Sequence, residues 1–110
     1  MRKVIVALAL LLACGTQVAV GEGAAAEPKT HTVVVAGMKF SPETLAVARG
    51  DVVVWVNKDF FPHTATARDR TFDSGEFGAG SSFRYVADKA GTFPYICTLH
   101  PTMKATLIVK

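Results

Sequence analysis

Gly91-Thr92-Phe93-Pro94-Tyr95-Ile96-Cys97-Thr98-Leu99-His100-Pro101-Thr102-Met103-Lys104-Ala105-Thr106-Leu107-Ile108-Val109 is the stretch on which the fold turns. Two runs of strand length, residues 92–97 and 105–109, flank a short polar connection, and both are rich in aromatic and β-branched residues. Phe93 and Tyr95, then Leu107 and Val109, alternate with other residues, so each run has one face to bury. Outward from there the same pattern recurs at residues 32–36, 44–48, 52–56 and 83–86. Turn signals separate the runs: Ser41-Pro42, Arg49-Gly50-Asp51, Asn57-Lys58-Asp59, residues 78–82 and Lys89-Ala90-Gly91. Nothing from 31 to 110 has the period of a long amphipathic helix. The spacing predicts an all-β protein, a two-sheet antiparallel sandwich or small barrel, with Val53, Trp55, Phe83, Tyr85, Phe93, Tyr95, Leu107 and Val109 in its core. Residues 67–81 lack a strong strand pattern apart from a short run around 71–73, and an irregular crossover is expected there.

The beginning of the chain reads differently. Arg2 and Lys3 precede an apolar run over residues 4–13, the layout of a secretory signal. About ten apolar residues fall short of the roughly 20 that a helix needs to span a bilayer. Two processing readings stay open: removal after Ala24-Ala25-Ala26, or a lipoprotein signal in which Leu11-Leu12-Ala13-Cys14 leaves Cys14 lipidated. The expected organisation is a signal over 1–26, a flexible lead over 27–30 and one domain over 31–110. The protein is expected to be exported, periplasmic in a bacterial setting, and attached to a membrane only if lipidated at Cys14.

Of the two cysteines in the 110 residues, Cys14 is removed or lipidated on either reading, so the domain keeps Cys97 alone. An internal disulfide is excluded. A small exported domain without one relies on its core or on a bound metal, and a lone thiol outside the cytoplasm needs protection from oxidation. The formal charge of +3 falls to about +2 once Arg2, Lys3 and Glu22 are gone. Lys and Arg are spread singly, which argues against a nucleic-acid partner, and a monomer is expected.

Cys97, His100 and Met103 place a thiol, an imidazole and a thioether at three-residue steps directly after a strand. A loop closed before Lys104 and restricted by Pro101 can turn all three around one point. His63, in the loop that follows the 52–56 run, is the natural fourth donor. Two imidazoles, a thiolate and a weakly bound thioether form the donor set of a blue-copper electron-transfer centre. Zinc accepts the thiolate and imidazoles but has no redox chemistry and makes little use of a thioether. The expected cofactor is therefore one copper ion cycling between Cu(I) and Cu(II).

Residues 31–110 resemble the cupredoxins, and within them the plastocyanin and amicyanin group. The resemblance rests on Met38-Lys39-Phe40-Ser41-Pro42, Gly50-Asp51-Val52-Val53-Val54-Trp55-Val56-Asn57, Pro62-His63, Gly91-Thr92-Phe93-Pro94-Tyr95-Ile96-Cys97, His100 and Met103. Two residues between Cys97 and His100 and two between His100 and Met103 make the loop similar to that of amicyanin. The resemblance implies a Greek-key β-sandwich, a type 1 copper, and electron exchange through His100, with Pro62, Leu99, Pro101 and Thr102 as an apolar docking patch. It also suggests a dehydrogenase as electron donor and a c-type cytochrome as acceptor. One departure stands out: relatives usually carry Asn after the first histidine ligand, where this chain has Thr64, whose hydroxyl is expected to make a similar bond. Thr98 fits the family pattern.

Other readings of the same residues are weaker. A cysteine-histidine hydrolase with Cys97 as nucleophile leaves Met103 and the second histidine unexplained, so no enzyme is expected. A copper carrier or buffer using the same four ligands is the more serious alternative. His31 is expected at the surface, and Met38 in the core or a loop. Asp59, Asp69, Asp73 and Glu76, in loops among Lys58, Arg68 and Arg70, read as a solvated rim.

Overall fold

A computed structural model describes residues 27–110. The signal and the Cys14 alternative lie outside the described residues. The chain forms eight strands: β1 (Thr30–Ala36), β2 (Lys39–Ser41), β3 (Thr44–Val47), β4 (Val52–Asn57), β5 (Thr66–Ala67), β6 (Ser82–Val86), β7 (Gly91–Cys97) and β8 (His100–Val109). They make two four-stranded sheets, ordered β2-β1-β4-β6 and β3-β8-β7-β5, with the chain passing between sheets at every link from β2 to β7. This is the sandwich that the alternating runs predict. Among the described residues no helix is long and apolar enough to cross a membrane.

The expectation of purely antiparallel sheets needs correction. β1 runs parallel to β4, with Val33 opposite Trp55, and β3 runs parallel to β8, with Leu45 opposite Leu107. A chain that changes sheet between neighbouring strands arrives beside an earlier strand from the same end, which makes those pairs parallel. Strand runs carry no mark of direction, so the sequence pattern is silent on this point.

Alternation decides what is buried. Val33 and Val35 of β1, Val53 and Trp55 of β4, Phe93 and Tyr95 of β7, and Leu107 and Val109 of β8 all face the space between the sheets. Phe83 and Tyr85 pack against this core but stay partly exposed, because β6 is an edge strand. The crossover supplies what the pattern did not show. Phe72 enters the core, its ring centroid 5.3 Å from that of Trp55 and 4.9 Å from that of Tyr85. The segment is the irregular crossover expected, with no strand among the described residues between β5 and β6, and the short run around 71–73 amounts to one isolated bridge, Asp73 to Thr66.

Two local devices bear on the site. β1 and β2 are joined by Gly37 and Met38, both at positive φ (60° and 61°), the primed hairpin turn that matches strand twist. β1 opens at Thr30, within the lead, because Lys29 accepts a bond from the Val52 amide at 2.9 Å and donates its own amide to Asp51 at 3.0 Å.

Candidate metal centre

The first loop of the site is wound around Asn57, the fully buried last residue of β4. Its side-chain carbonyl accepts the Asp59 amide at 2.9 Å, an Asx turn, and its Nδ2 donates to the Phe61 and Phe77 carbonyls at 2.7 and 3.1 Å. His63 then bridges to Phe77, with its amide donating at 3.1 Å and its carbonyl accepting at 2.9 Å. The backbone on both sides of the histidine is thereby fixed, and its ring is fully buried.

The second loop differs from the expected one, which ran to Lys104, because β8 already begins at His100. Cys97 pairs with His100 across the two-residue turn Thr98-Leu99, and the ladder resumes only at Ile96 opposite Lys104. Pro101, Thr102 and Met103 are bulged out between those pairs. Pro101 has no N–H to give the ladder, which favours a bulge at this point. Cys97 is fully buried, His100 is half-buried, and Met103 is 3% exposed in the same core cluster as Cys97.

The donors meet in pairs. His63 Nδ1 lies 3.6 Å from Cys97 Sγ, and the His63 and His100 rings stand edge to face with centroids 5.2 Å apart. Among the described residues, no three His, Cys, Asp or Glu side chains form a closed metal-holding group. The His63–Cys97 pair nevertheless fits one: a tetrahedral metal about 2.3 Å from a thiolate and about 2.0 Å from an imidazole sets those donors about 3.6 Å apart. A cavity of about 280 Å³ opens beside Met103, with Met38, Phe40 and Thr102 on its walls.

Each of the paired donors has support from behind. His63 Nε2 is 2.9 Å from Asp59 Oδ2, so Nε2–H donates to the carboxylate and Nδ1 is left with its lone pair toward Cys97. The same carboxylate accepts the Gly37 and Met38 amides at 2.7 and 3.1 Å. Burial pushes the Asp59 carboxyl up, but these amides and the His63 ring outweigh it and hold the group below its ordinary value. Asp59 is thus built into the site, not part of a solvated rim. Its signal in the sequence was its place four residues before His63, on a loop whose buried Asn57 turns the side chain inward.

On the other side, the Thr64 amide donates to Cys97 Sγ at 3.3 Å. The Thr64 hydroxyl accepts the Thr98 amide at 2.8 Å and lies 3.1 Å from the Thr98 hydroxyl. Thr64 thus ties the two loops together, as expected of it in place of Asn. His31, expected at the surface, is partly buried at the opposite end, its Nε2 2.9 Å from Asp51 Oδ2. Pro62, Leu99, Pro101 and Thr102 are exposed, and the His63 loop exposes two larger apolar side chains that the sequence reading left out, Phe60 (94% exposed) and Phe61 (56%).

A family model for the cupredoxin-like domain matches residues 4–109. Amicyanin from Paracoccus denitrificans is 31% identical, over 79% of this chain and 72% of the relative. A Cu(I) form of an amicyanin variant superposes with a TM-score of 0.69 at 26% identity, over 74% of this chain and 82% of that one. A Cu-containing nitrite reductase from Thermus scotoductus SA-01 superposes with a TM-score of 0.71 at 32% identity, over 77% of this chain. The match takes in only 23% of the reductase. With a family match over nearly the whole sequence, and with two four-stranded sheets carrying the paired donors, the chain belongs to the cupredoxin-like family.

Proposed function

We propose that this protein holds one copper ion through His63, Cys97, His100 and Met103 and carries single electrons between redox partners. The observation that carries the reading is the buried His63–Cys97 pair at 3.6 Å, with Asp59 on the far nitrogen of the ring and the Thr64 amide on the sulfur. Copper supplies the one-electron Cu(I)/Cu(II) couple when bound. The chain contributes donors whose positions are set by two cross-linked loops, so that little has to move when the charge changes. His63, Cys97 and Met103 are buried and His100 is half-buried, which makes the His100 ring the route by which an electron reaches the surface.

Phe60, Phe61, Pro62, Leu99 and Pro101 give the surface around that route an apolar character suited to brief docking of a redox protein. The likeness to amicyanin supports a dehydrogenase donor and a c-type cytochrome acceptor. Export to the periplasm, with residues 1–26 as the signal, belongs to the same proposal. A copper carrier or buffer is the second reading, favoured by one observation: the cavity beside Met103 has a second thioether, Met38, on its wall.

The test is to add Cu(II) to the purified apo-protein. An intense blue colour and a narrow copper hyperfine pattern in electron spin resonance are expected, and a colourless product or an ordinary square-planar signal would refute the ligand set. Slow loss of copper to a chelator together with fast electron self-exchange supports the electron carrier. The reverse supports the copper carrier.

A further inference from the structure

The Thr64–Thr98 link between the ligand loops continues outward. Thr66 Oγ1 lies 3.0 Å from Thr64 Oγ1 and 2.9 Å from Asp73 Oδ1. Thr64 and Thr66 are both 3% exposed, so water does not substitute for these partners. Asp73 is held on its own loop by the Gly75 amide at 3.0 Å, by Arg70 at 3.1 Å and by its β-bridge to Thr66.

Proton counting gives this chain a direction. A hydroxyl has one proton to donate and two lone pairs to accept with. An ionised carboxylate only accepts, and Asp73 is ionised at neutral pH, since the Gly75 amide, against some burial, and the Thr66 hydroxyl and Arg70 hold its carboxyl below the ordinary value. Thr66 is the donor to Asp73 and also in the 3.0 Å contact to Thr64 Oγ1, so its one proton is shared between the carboxylate and Thr64. With the Thr98 amide and the Thr66 hydroxyl as its donors, Thr64 Oγ1 has both lone pairs engaged and its own proton left for the Thr98 hydroxyl at 3.1 Å. Thr64 Oγ1 ends with one bond donated and two accepted, its full capacity.

We propose that Thr66 and Asp73, which lie on neither ligand loop, are positioning residues for the metal centre: they orient this hydroxyl chain and thereby hold the Thr64 amide on the Cys97 sulfur. The inference rests on Cys97 being a copper ligand. A hydrogen bond to a thiolate withdraws electron density from sulfur and favours the lower metal charge, so the chain keeps the reduction potential up. Loosening it weakens the amide–sulfur bond and moves the potential down.

Thr66→Val keeps the shape, removes the relay and changes no charge, while Thr66→Ser restores the hydroxyl. Two readouts are taken, the reduction potential of the copper-loaded protein and the hydrogen-exchange rates of the Thr64 and Thr98 amides in the apo-protein. For Thr66→Val we expect a lower potential and exchange faster by on the order of tenfold at both amides, the size of one lost hydrogen bond, with Thr66→Ser close to the parent. Asp73→Ala is read by amide exchange alone, because losing its charge moves the potential in the opposite sense, and the same acceleration is expected. Unchanged potential and exchange in folded Thr66→Val overturns the proposal, and unchanged exchange in Asp73→Ala overturns the part given to Asp73. If the parent protein takes up no copper, the ligand assignment fails instead, and the exchange rates still decide whether the chain holds the loops.

Discussion

Replacing Asp59 with Ala removes three hydrogen bonds at once, but they are not equivalent. The Gly37 and Met38 amides lie at an exposed turn, where water takes over as acceptor. His63 is fully buried, so its Nε2 proton is stranded. A buried donor left without a partner costs about 1–3 kcal/mol, and removing a carboxylate behind a metal-bound imidazole typically weakens metal binding about 10–100-fold, or about 1.4–2.7 kcal/mol. The two figures agree because they describe the same loss: the ring is free to turn or to change tautomer, and Nδ1 no longer faces Cys97 by default. The expected outcome is copper affinity reduced by about 10–100-fold. Competition with a chelator measures it, on protein whose fold is checked by near-ultraviolet circular dichroism. Asp59→Asn, which keeps an acceptor oxygen, should lose less affinity and raise the potential, since a negative charge that favours Cu(II) is gone. Folded Asp59→Ala with affinity within about threefold of the parent would refute the role given to the carboxylate.

Replacing Cys97 with Ser should abolish the blue absorption, whereas Met103→Leu should keep it and shift the potential, because a thioether is the weak member of the proposed donor set. Leu107→Ala, at a position 1% exposed between the sheets, should lower apo-protein stability by about 2–5 kcal/mol in a denaturant titration. The Asp51 carboxyl is lowered from 3.8 to about 2, mainly by its bond to His31 and by the Lys29 amide, against some burial, with the Ala48 amide adding to the effect. A carboxyl lowered on folding stabilises the ionised form, so its contribution is fully present above about pH 4 and is lost as the pH falls toward 2. Unfolding curves of the apo-protein at a series of pH values should show that decline, and Asp51→Asn should flatten it.

The sandwich was legible in the sequence because alternating runs record which face of a strand is buried, and most of the core followed from Trp55, Tyr95 and Leu107. Phe72 and Phe77 were not, since each enters the core from an irregular segment where no period marks it. Parallel pairing left no trace in the runs either. At the site, Cys97, His100 and Met103 stood out by spacing along one segment. Asp59 and Asp73 looked like ordinary loop carboxylates because their partners, His63 and Thr66, identify them only once Asn57 and the bridge to Thr66 have turned the loops inward. Thr64 showed itself only as a departure from the family pattern. What it does depends on Thr98, 34 positions away along the chain.

The bulge of Pro101, Thr102 and Met103 separates two design problems that a regular hairpin would join. The ladder beyond it is pinned by Ile96 opposite Lys104 and, on the other side, by Leu45 opposite Leu107. Residues added to or removed from the bulge therefore leave Ala105, Leu107 and Val109 facing the core, and closing a slightly longer loop costs only a fraction of a kcal/mol, about 0.6 for a doubling in length. On the proposed ligand set, the segment that carries Met103 can then change in length or donor while the scaffold that holds it keeps the same register.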